Sequence, residues 1–268
     1  MNKNLALFLV LGVTIFFFSF LMMPMVLANN NSLAYVYDDD TTSAYSYRSL
    51  LNDNGYAVTL IDGSSITSST FSGYRAIIIG SDTSSGGYTW LDGDSKKVTA
   101  INNSALPLIG LGNGGYSLFG FGALNLRIGY DYGGANPSRT GIIVANDTHP
   151  IFTTPTDIPT GTIDLYTIGN YVNYIYLNPA PSYVSALGED TGSVNYYSLC
   201  AQDNRYFFWG FTASPDTMTQ VGKDLFINVI KYYAPLSGAI PSYNILLILG
   251  VSTIVASLII IKKIKTKN

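Results

Sequence analysis

Three kinds of side chain that often carry protein chemistry are nearly absent from this sequence. The 268 residues include one cysteine, Cys200, and one histidine, His149. This excludes an internal disulfide and a zinc site built from several cysteine and histidine ligands. Glutamate is equally scarce, because Glu189 is the only one among 17 acidic residues and the rest are aspartate. Aspartate is typical of turns and helix caps, where its short side chain accepts backbone N–H groups.

Charge is also scarce and unevenly distributed. Charged residues make up 12% of the chain, and all the acidic ones lie between Asp38 and Asp224. Four of the 14 basic residues follow the last apolar run, and Lys3 precedes the first. The segment between them carries nine basic against 17 acidic residues, a net charge of −8. We therefore expect no nucleic-acid binding, because such binding requires basic groups that neutralise phosphates.

The N-terminal end has the pattern of a secretory signal. Lys3 is followed by an apolar run over residues 5–23 and then by a small residue, Ala28. A positive start, an apolar stretch and a small residue at the cleavage point predict a signal peptide over residues 1–28. The long apolar run also leaves an uncleaved anchor open as the alternative.

The C-terminal end has the pattern of a membrane anchor. Residues 245–261 are apolar or small, which as a helix spans about 25 Å, and residues 262–268 contain four lysines. We predict a linker over 235–244, a single transmembrane helix over 245–261 and a cytoplasmic basic tail over 262–268. Together, these C-terminal segments resemble the anchors of archaeal surface proteins. They predict a cell-membrane protein with residues 29–234 outside.

Sequence signals for glycosylation fit that location. Asn-x-Ser/Thr sequons begin at Asn30, Asn102 and Asn146. Such sequons are acceptor sites in surface loops of exported proteins. We therefore expect a glycosylated ectodomain.

Apolar runs alternate with helical periodicity in the first half of the chain. Ala44, Tyr47 and Leu51 recur at helical spacing, and a second helix is predicted through Trp90 and Ile101. The predicted strands around them cover residues 33–37, 57–61, 76–79 and 107–111. Continuous apolar strands between helices predict a parallel sheet that is covered on both faces.

The second half contains short aromatic-rich runs separated by Gly, Pro, Asn and Asp. These runs predict further strands and hairpins over 142–145, 163–167, 171–177, 183–187, 196–200 and 206–211. An amphipathic pattern from Met218 to Tyr233 predicts a final helix. The predicted fold is an α/β, flavodoxin-like three-layer structure whose mainly parallel sheet is extended by strands from the second half.

One glycine-rich segment resembles a known family. The segment Pro107-Leu-Ile-Gly-Leu-Gly-Asn-Gly-Gly-Tyr116 resembles the class I glutamine amidotransferase-like superfamily, including its trehalose-utilisation-protein-like branch. In active members this segment is a strand, a sharp elbow and a helix that read Gly-x-Cys-x-Gly, and Gly110 and Gly114 match the two glycines. Residues 148–151, Trp209-Gly-Phe211 and the final helix are also similar to this superfamily.

The departures from the family pattern concern its catalytic groups. Gly112 stands where the resemblance places the nucleophilic cysteine, and a glycine has no side chain to attack a carbonyl. Cys200 lies in a predicted strand far along the chain, and residues 211–215 lack the histidine that active members carry there. We therefore expect no glutamine hydrolysis, and the sequence favours a domain that is not an enzyme.

Polar residues follow the predicted strands at one edge of the sheet, where open α/β folds bind ligands. The candidate ligand-binding residues are Asp38, Asp39, Asp40, Asp82, Gly112, Asn113, Gly114, Tyr116 and His149. Clustered carboxylates with an amide are ligands for Ca²⁺, but their spacing matches no calcium loop, and Asp40 as a helix cap is the favoured alternative. His149 is expected to pack at a loop corner rather than act as an acid or base.

Three functions are consistent with these observations. The first is a non-catalytic surface module that needs no cofactor and binds a carbohydrate or a surface protein at the former active-site edge. The second is an extracellular hydrolase of carbohydrate that uses aspartates, with His149 as a further candidate residue. The third is a structural component of the cell surface, which requires no special site.

Overall fold

Helices and strands alternate through the first half of the chain, and strands dominate the second half. The computed structural model describes residues 31–85 and 89–236. Within these residues the order is β1 (Ser32–Tyr37), α1 (Thr41–Asp53), β2 (Ala57–Asp62), β3 (Ala76–Ile79), β4 (Ser84–Ser85), β5 (Thr89–Trp90), α2 (Ser95–Asn103), β6 (Leu108–Leu111), α3 (Gly112–Phe119), β7 (Gly133–Arg139), β8 (Gly141–Val144), α4 (Pro150–Thr153), β9 (Thr162–Asp164), β10 (Asn170–Tyr176), β11 (Val184–Asp190), β12 (Tyr196–Gln202), β13 (Tyr206–Trp209) and α5 (Gln220–Tyr233).

Five strands form the parallel centre of the main sheet, in the order β2-β1-β3-β6-β13. All four neighbouring pairs in this group are parallel, and β13 joins the first-half strands by pairing Tyr206 with Leu108. This is the doubly wound order of flavodoxin-like folds, in which the chain reverses direction across the sheet beside β1. The predicted fold class is confirmed.

The remaining strands of the main sheet extend it in antiparallel fashion. β13 is followed by β12, β11, β8 and β9, and β10 pairs with both β12 and β7. The predicted hairpins of the second half are therefore confirmed. The sequence reasoning missed β7, because its residues GGANPSR contain no apolar alternation. β4 and β5 form a separate two-stranded hairpin.

Helices cover both faces of the parallel centre. Alternate residues of β1 enter two apolar clusters, one shared with α1 and α5 and the other with α2 and α3. α1 buries Ala44, Tyr47 and Leu51 as predicted. The second predicted helix begins only at Ser95, because Asp94 caps it and Asp92 has positive φ, so Trp90 lies in β5 instead.

Several sequence predictions fall outside the described residues. These are the signal peptide over 1–28, the sequon at Asn30, the transmembrane segment over 245–261, the basic tail over 262–268 and all but the first two residues of the linker. Within residues 31–85 and 89–236, no helix combines the length and the apolar composition that crossing a bilayer requires.

Candidate functional site

The loops that follow β1, β3, β6 and β13 meet at the carboxyl edge of the parallel strands. This edge brings together most of the predicted site residues, namely Asp38, Asp39, Asp40, Asp82, Gly112, Asn113 and Gly114. The sheet places them side by side because β1, β3 and β6 are adjacent and point the same way. Open α/β folds bind their ligands at such an edge.

Asp82 ties the loop after β3 to the loop after β1. Its Oδ2 accepts the backbone N–H groups of Asp38 and Asp40, both at 2.8 Å. Asp40 in turn caps α1, since its Oδ1 accepts the Ser43 N–H at 2.9 Å. Two of the four candidate carboxylates therefore organise the edge itself, whereas Asp38 and Asp39 present exposed carboxylates.

The edge is strongly negative. Although Asp38 is exposed, partial desolvation of its carboxyl raises its pKa above the usual value, and repulsion from Asp39, Asp82, Asp92 and Asp62 raises it further. A like charge nearby disfavours the ionised form in this way. In the described part of the chain, no group of three or more His, Cys, Asp or Glu side chains is arranged to hold a metal ion. The edge is therefore suited to groups that donate hydrogen bonds or carry positive charge.

The turn from β6 into α3 is sharp, because the helix begins at Gly112, directly after the last residue of the strand. Gly112 has a φ of +44°, a backbone conformation that glycine adopts without steric strain. The first turn of the helix packs closely against the loop after β3, since a Cβ on Gly114 would overlap the Gly80 carbonyl and the Thr83 hydroxyl. Without side chains, Gly112 and Gly114 let the backbone of α3 lie close to the neighbouring loops.

The space above Gly112 is already filled. A Cβ at this position would lie 2.5 Å from the Ser81 Oγ and 2.7 Å from the Thr212 Cγ2, closer than real Cβ contacts come. Thr212 is itself held in place, because its Oγ1 donates to the Tyr171 carbonyl at 3.0 Å. The sequence reasoning missed Ser81 and Thr212, although both closely follow strand ends. Their proximity depends on β3, β6 and β13 being neighbours in the sheet.

A polar pair lies beside the start of α3. The Nδ2 of Asn173, on β10, donates to the Asn113 Oδ1 at 2.7 Å. Asn173 is fully buried, and its own Oδ1 has no hydrogen-bond partner among the described residues. No sequence signal identifies Asn173, because β10 reads as an ordinary aromatic strand. The pair fixes the Asn113 side chain at the edge.

Two predicted site residues lie apart from this group. Tyr116 is buried, with its ring 5.9 Å from that of Tyr130 and 6.0 Å from that of Phe208. His149 caps α4, and its ring lies 5.2 Å from that of Tyr232, in the last turn of α5. Tyr116 is therefore a core residue, and His149 belongs to a different part of the surface.

His149 lies toward the opposite edge of the sheet. α5 starts shortly after the carboxyl end of β13 and ends beside Tyr56, whose hydroxyl donates to the Ala234 carbonyl just before β2 begins. α5 has 14 residues, so it extends about 20 Å from one edge of the sheet to the other. Burial lowers the pKa of His149, which favours the neutral ring.

Among residues 31–85 and 89–236, no nucleophile lies near Gly112 together with an activating base. Cys200 is completely buried on β12, and burial raises the pKa of its thiol, so it is not reactive. Ser117, the nearest helical serine, shares a 2.7 Å hydrogen bond with Ser84. The only histidine of the sequence lies toward the other edge. The arrangement presents backbone groups, aspartates and an amide rather than a catalytic pair.

The two exposed sequons differ in their surroundings. Asn146 lies in an exposed turn, and the Thr148 hydroxyl donates to its Oδ1 at 2.9 Å. Asn102 is exposed on α2, and its Oδ1 accepts from Arg205 at 3.2 Å.

Comparisons with known proteins identify the fold. No protein-family model and no curated protein sequence matches the chain. Among solved structures, it is similar to PurLQS from Thermotoga maritima, with 16% identity and a TM-score of 0.50 over 75% of this chain and 98% of that chain. A glutamine amidotransferase from the same organism is 10% identical, with a TM-score of 0.45 over 75% and 81% of the two chains. At 16% identity, the likeness to PurLQS shows that the described residues share its fold and no more.

Proposed function

We propose that this chain is a non-catalytic module of amidotransferase fold, tethered to the outside of a membrane, that binds a ligand or a surface partner at the carboxyl edge of its sheet. The observation that carries this proposal is the filled space above Gly112. A nucleophilic side chain at this position needs a Cβ, and that atom would come within 3 Å of both Ser81 and Thr212. An enzyme of the resembled class requires a thiolate and a histidine there.

The tether is inferred from the sequence. The apolar run over 245–261 is followed by four lysines, which favours a cytoplasmic C-terminus. The signal-like N-terminus and the sequons favour export of residues 29–234. Protease added to intact cells is expected to release this domain, and protection of residues 33–233 would contradict the proposed topology.

The chemistry of the edge favours a ligand that donates hydrogen bonds. Asp38 and Asp39 present exposed carboxylates, and ionised acceptors form roughly twice as strong hydrogen bonds as neutral ones. Sugar hydroxyls and the basic side chains of a surface protein are both suitable donors. The net negative charge of the edge disfavours anionic ligands.

Two measurements on the full-length protein in detergent test the proposal. The first is hydrolysis of glutamine and of a generic ester by the unmodified protein and by the Gly112→Cys variant, and no useful turnover is expected from either. Turnover by the unmodified protein that is lost on changing Asp39 to Asn would overturn the non-catalytic assignment and favour a hydrolase.

The second measurement is binding. A panel of neutral oligosaccharides and a basic peptide is tested against the unmodified protein, Asp39→Asn and a control, Asp53→Asn. Asp53 is also an exposed aspartate, but it ends α1 and lies at the opposite edge. Weaker binding by Asp39→Asn alone would support the carboxyl edge, whereas equal binding by all three proteins would contradict it.

A further inference from the structure

The sheet has an open edge at β2. This strand pairs with β1 on one side and is the first strand in the order of the main sheet within the described residues. The Ala57 N–H donates to the Asn31 carbonyl, so alternate residues of β2 face β1. The backbone groups of Val58 and Leu60 therefore point away from the sheet. The Val58 N–H donates to the Asn52 Oδ1 at 3.1 Å, whereas the Leu60 N–H has no such acceptor among the described residues.

A groove runs along this open edge. It encloses about 420 Å³ between α1 and β2, and its lining residues are Tyr37, Thr41, Tyr45, Arg48 and the β2 residues Val58, Thr59 and Leu60. The α1 residues at positions 41, 45 and 48 share one helix face by their spacing. Unlike the face at Ala44 and Tyr47, which is buried, this face is not covered by the core. The groove thus joins an aromatic and polar helix face to unpaired strand backbone.

Arg48 gives the groove a charge opposite to that of the domain. Its guanidinium lies over the Tyr45 ring, 4.6 Å from the centroid, and it forms no ion pair with any described residue. The Tyr45 side chain is 53% exposed. An unpaired guanidinium held against an aromatic ring is suited to binding a carboxylate, because its N–H donors form a planar fork that matches it.

The geometry points to a second binding site: an extended acidic peptide adds to the open edge of β2 and places a carboxylate against Arg48. The exposed backbone groups of Leu60 and the Val58 carbonyl supply the main-chain hydrogen bonds of strand addition. Arg48 and Tyr45 supply the side-chain specificity. The groove adjoins the carboxyl edge at Tyr37 and Thr41 and extends along β2 toward Val58, and it takes a ligand of the opposite charge.

The charges along the groove also predict the placement of the peptide. α1 runs antiparallel to β2, so Arg48 lies toward the Val58 end and Thr41 toward the Asp62 end. Asp62 is exposed and lies about 13 Å along the strand from Val58. The acidic side chain is expected at the Arg48 end, and a negative charge beside Asp62 is disfavoured.

The test uses fluorescence anisotropy on the full-length protein in detergent. The probes are a labelled Thr-Val-Glu-Val-Thr peptide and its Gln counterpart, and the protein variants are Arg48→Gln, Leu60→Pro and a control, Lys96→Gln. Lys96 is an exposed cation on α2, on the other face of the sheet. Retained burial of the tryptophans, followed by intrinsic fluorescence, shows that each variant is folded.

The unmodified protein is expected to bind the Glu peptide about tenfold more tightly than the Gln peptide, since a charge-assisted hydrogen bond is lost with the carboxylate. Arg48→Gln is expected to abolish that difference, and Leu60→Pro to weaken both peptides because the Leu60 N–H is removed. Lys96→Gln is expected to behave like the unmodified protein.

Three results would overturn the proposal. The first is that neither peptide binds at millimolar concentration, and the second is that Arg48→Gln and Lys96→Gln bind the Glu peptide equally. The third is that glucuronate competes in a manner that depends on Arg48 but not on Leu60, which would identify a site for acidic sugars instead of a peptide site.

Discussion

Replacing Gly112 with alanine tests whether the space above the elbow is filled. Alanine must adopt a φ of +44°, and its Cβ must lie 2.5 Å from the Ser81 Oγ unless the structure shifts. The left-handed conformation costs about 1–2 kcal/mol, and overpacking costs about 1–3 kcal/mol. The expected loss is therefore about 2–5 kcal/mol, a large part of the typical stability of a domain, which is about 5–15 kcal/mol.

A matched glycine separates the two contributions. Gly73 has a φ of +86°, and a Cβ there meets no atom within 4 Å, so Gly73→Ala introduces backbone strain without overlap. Its expected cost is about 1–2 kcal/mol. Changing Ser81 to Ala in the Gly112→Ala background removes the first contact, and it is expected to restore about 0.5 kcal/mol or more.

Urea unfolding followed by tryptophan fluorescence measures these differences. The sequence has two tryptophans, and both Trp90 and Trp209 are buried in the described domain, so the signal reports the unfolding of this domain alone. If Gly112→Ala cost no more than Gly73→Ala, the space above the elbow would be open, and the principal support for a non-catalytic domain would be removed.

Three further predictions concern titration and ion pairing. Burial lowers the pKa of His149 from 6.5, so the folded state disfavours the charged ring. The free energy of unfolding therefore carries no penalty from His149 above pH 6.5, and it decreases as the pH falls through 6.5 toward the lower folded pKa. His149→Asn keeps a capping acceptor, so it should remove this loss in urea unfolding at pH 5 while changing little at pH 8. Asp190 forms a bidentate pair with Arg139, and its side chain is 1% exposed. Asp190→Asn should therefore lower the free energy of unfolding by about 3 kcal/mol in the same assay. A decrease below about 0.5 kcal/mol would contradict a buried pair. Asp38→Asn removes a charge whose desolvation and whose repulsion by nearby aspartates raise the Asp38 pKa. It should therefore raise the unfolding midpoint at pH 7 and have no effect well below the usual aspartate pKa, and a shift that persists in acid would point to another cause.

Most strands and helices of the first half could be predicted from local pattern alone, but the short strands β4 and β5 and the start of α2 could not. A run such as Ala76–Ile79 is fully apolar, and in a water-soluble domain it is stable only when both faces are covered. The spacing of Ala44, Tyr47 and Leu51 likewise requires a helix with one buried face. These features are properties of short segments, so no knowledge of neighbours in space was needed.

The absence of a nucleophile at position 112 was also evident from the sequence, because it depends on one residue type. The grouping of Asp38, Asp39, Asp40 and Asp82 followed from a general rule, since the ends of parallel strands meet at one edge. What the rule did not predict is the role of Asp82, whose carboxylate is occupied by two backbone N–H groups.

Only the tertiary structure decided what surrounds Gly112 and where His149 lies. Ser81 and Thr212 follow β3 and β13, whereas Asn173 lies on β10, so their approach to the start of α3 depends on strand order and direction. His149 is placed toward the other edge because α4 packs beside the last turn of α5. Local sequence pattern specifies which face of a segment is buried but not which distant segment covers it, because that choice is made by the packing of the whole sheet.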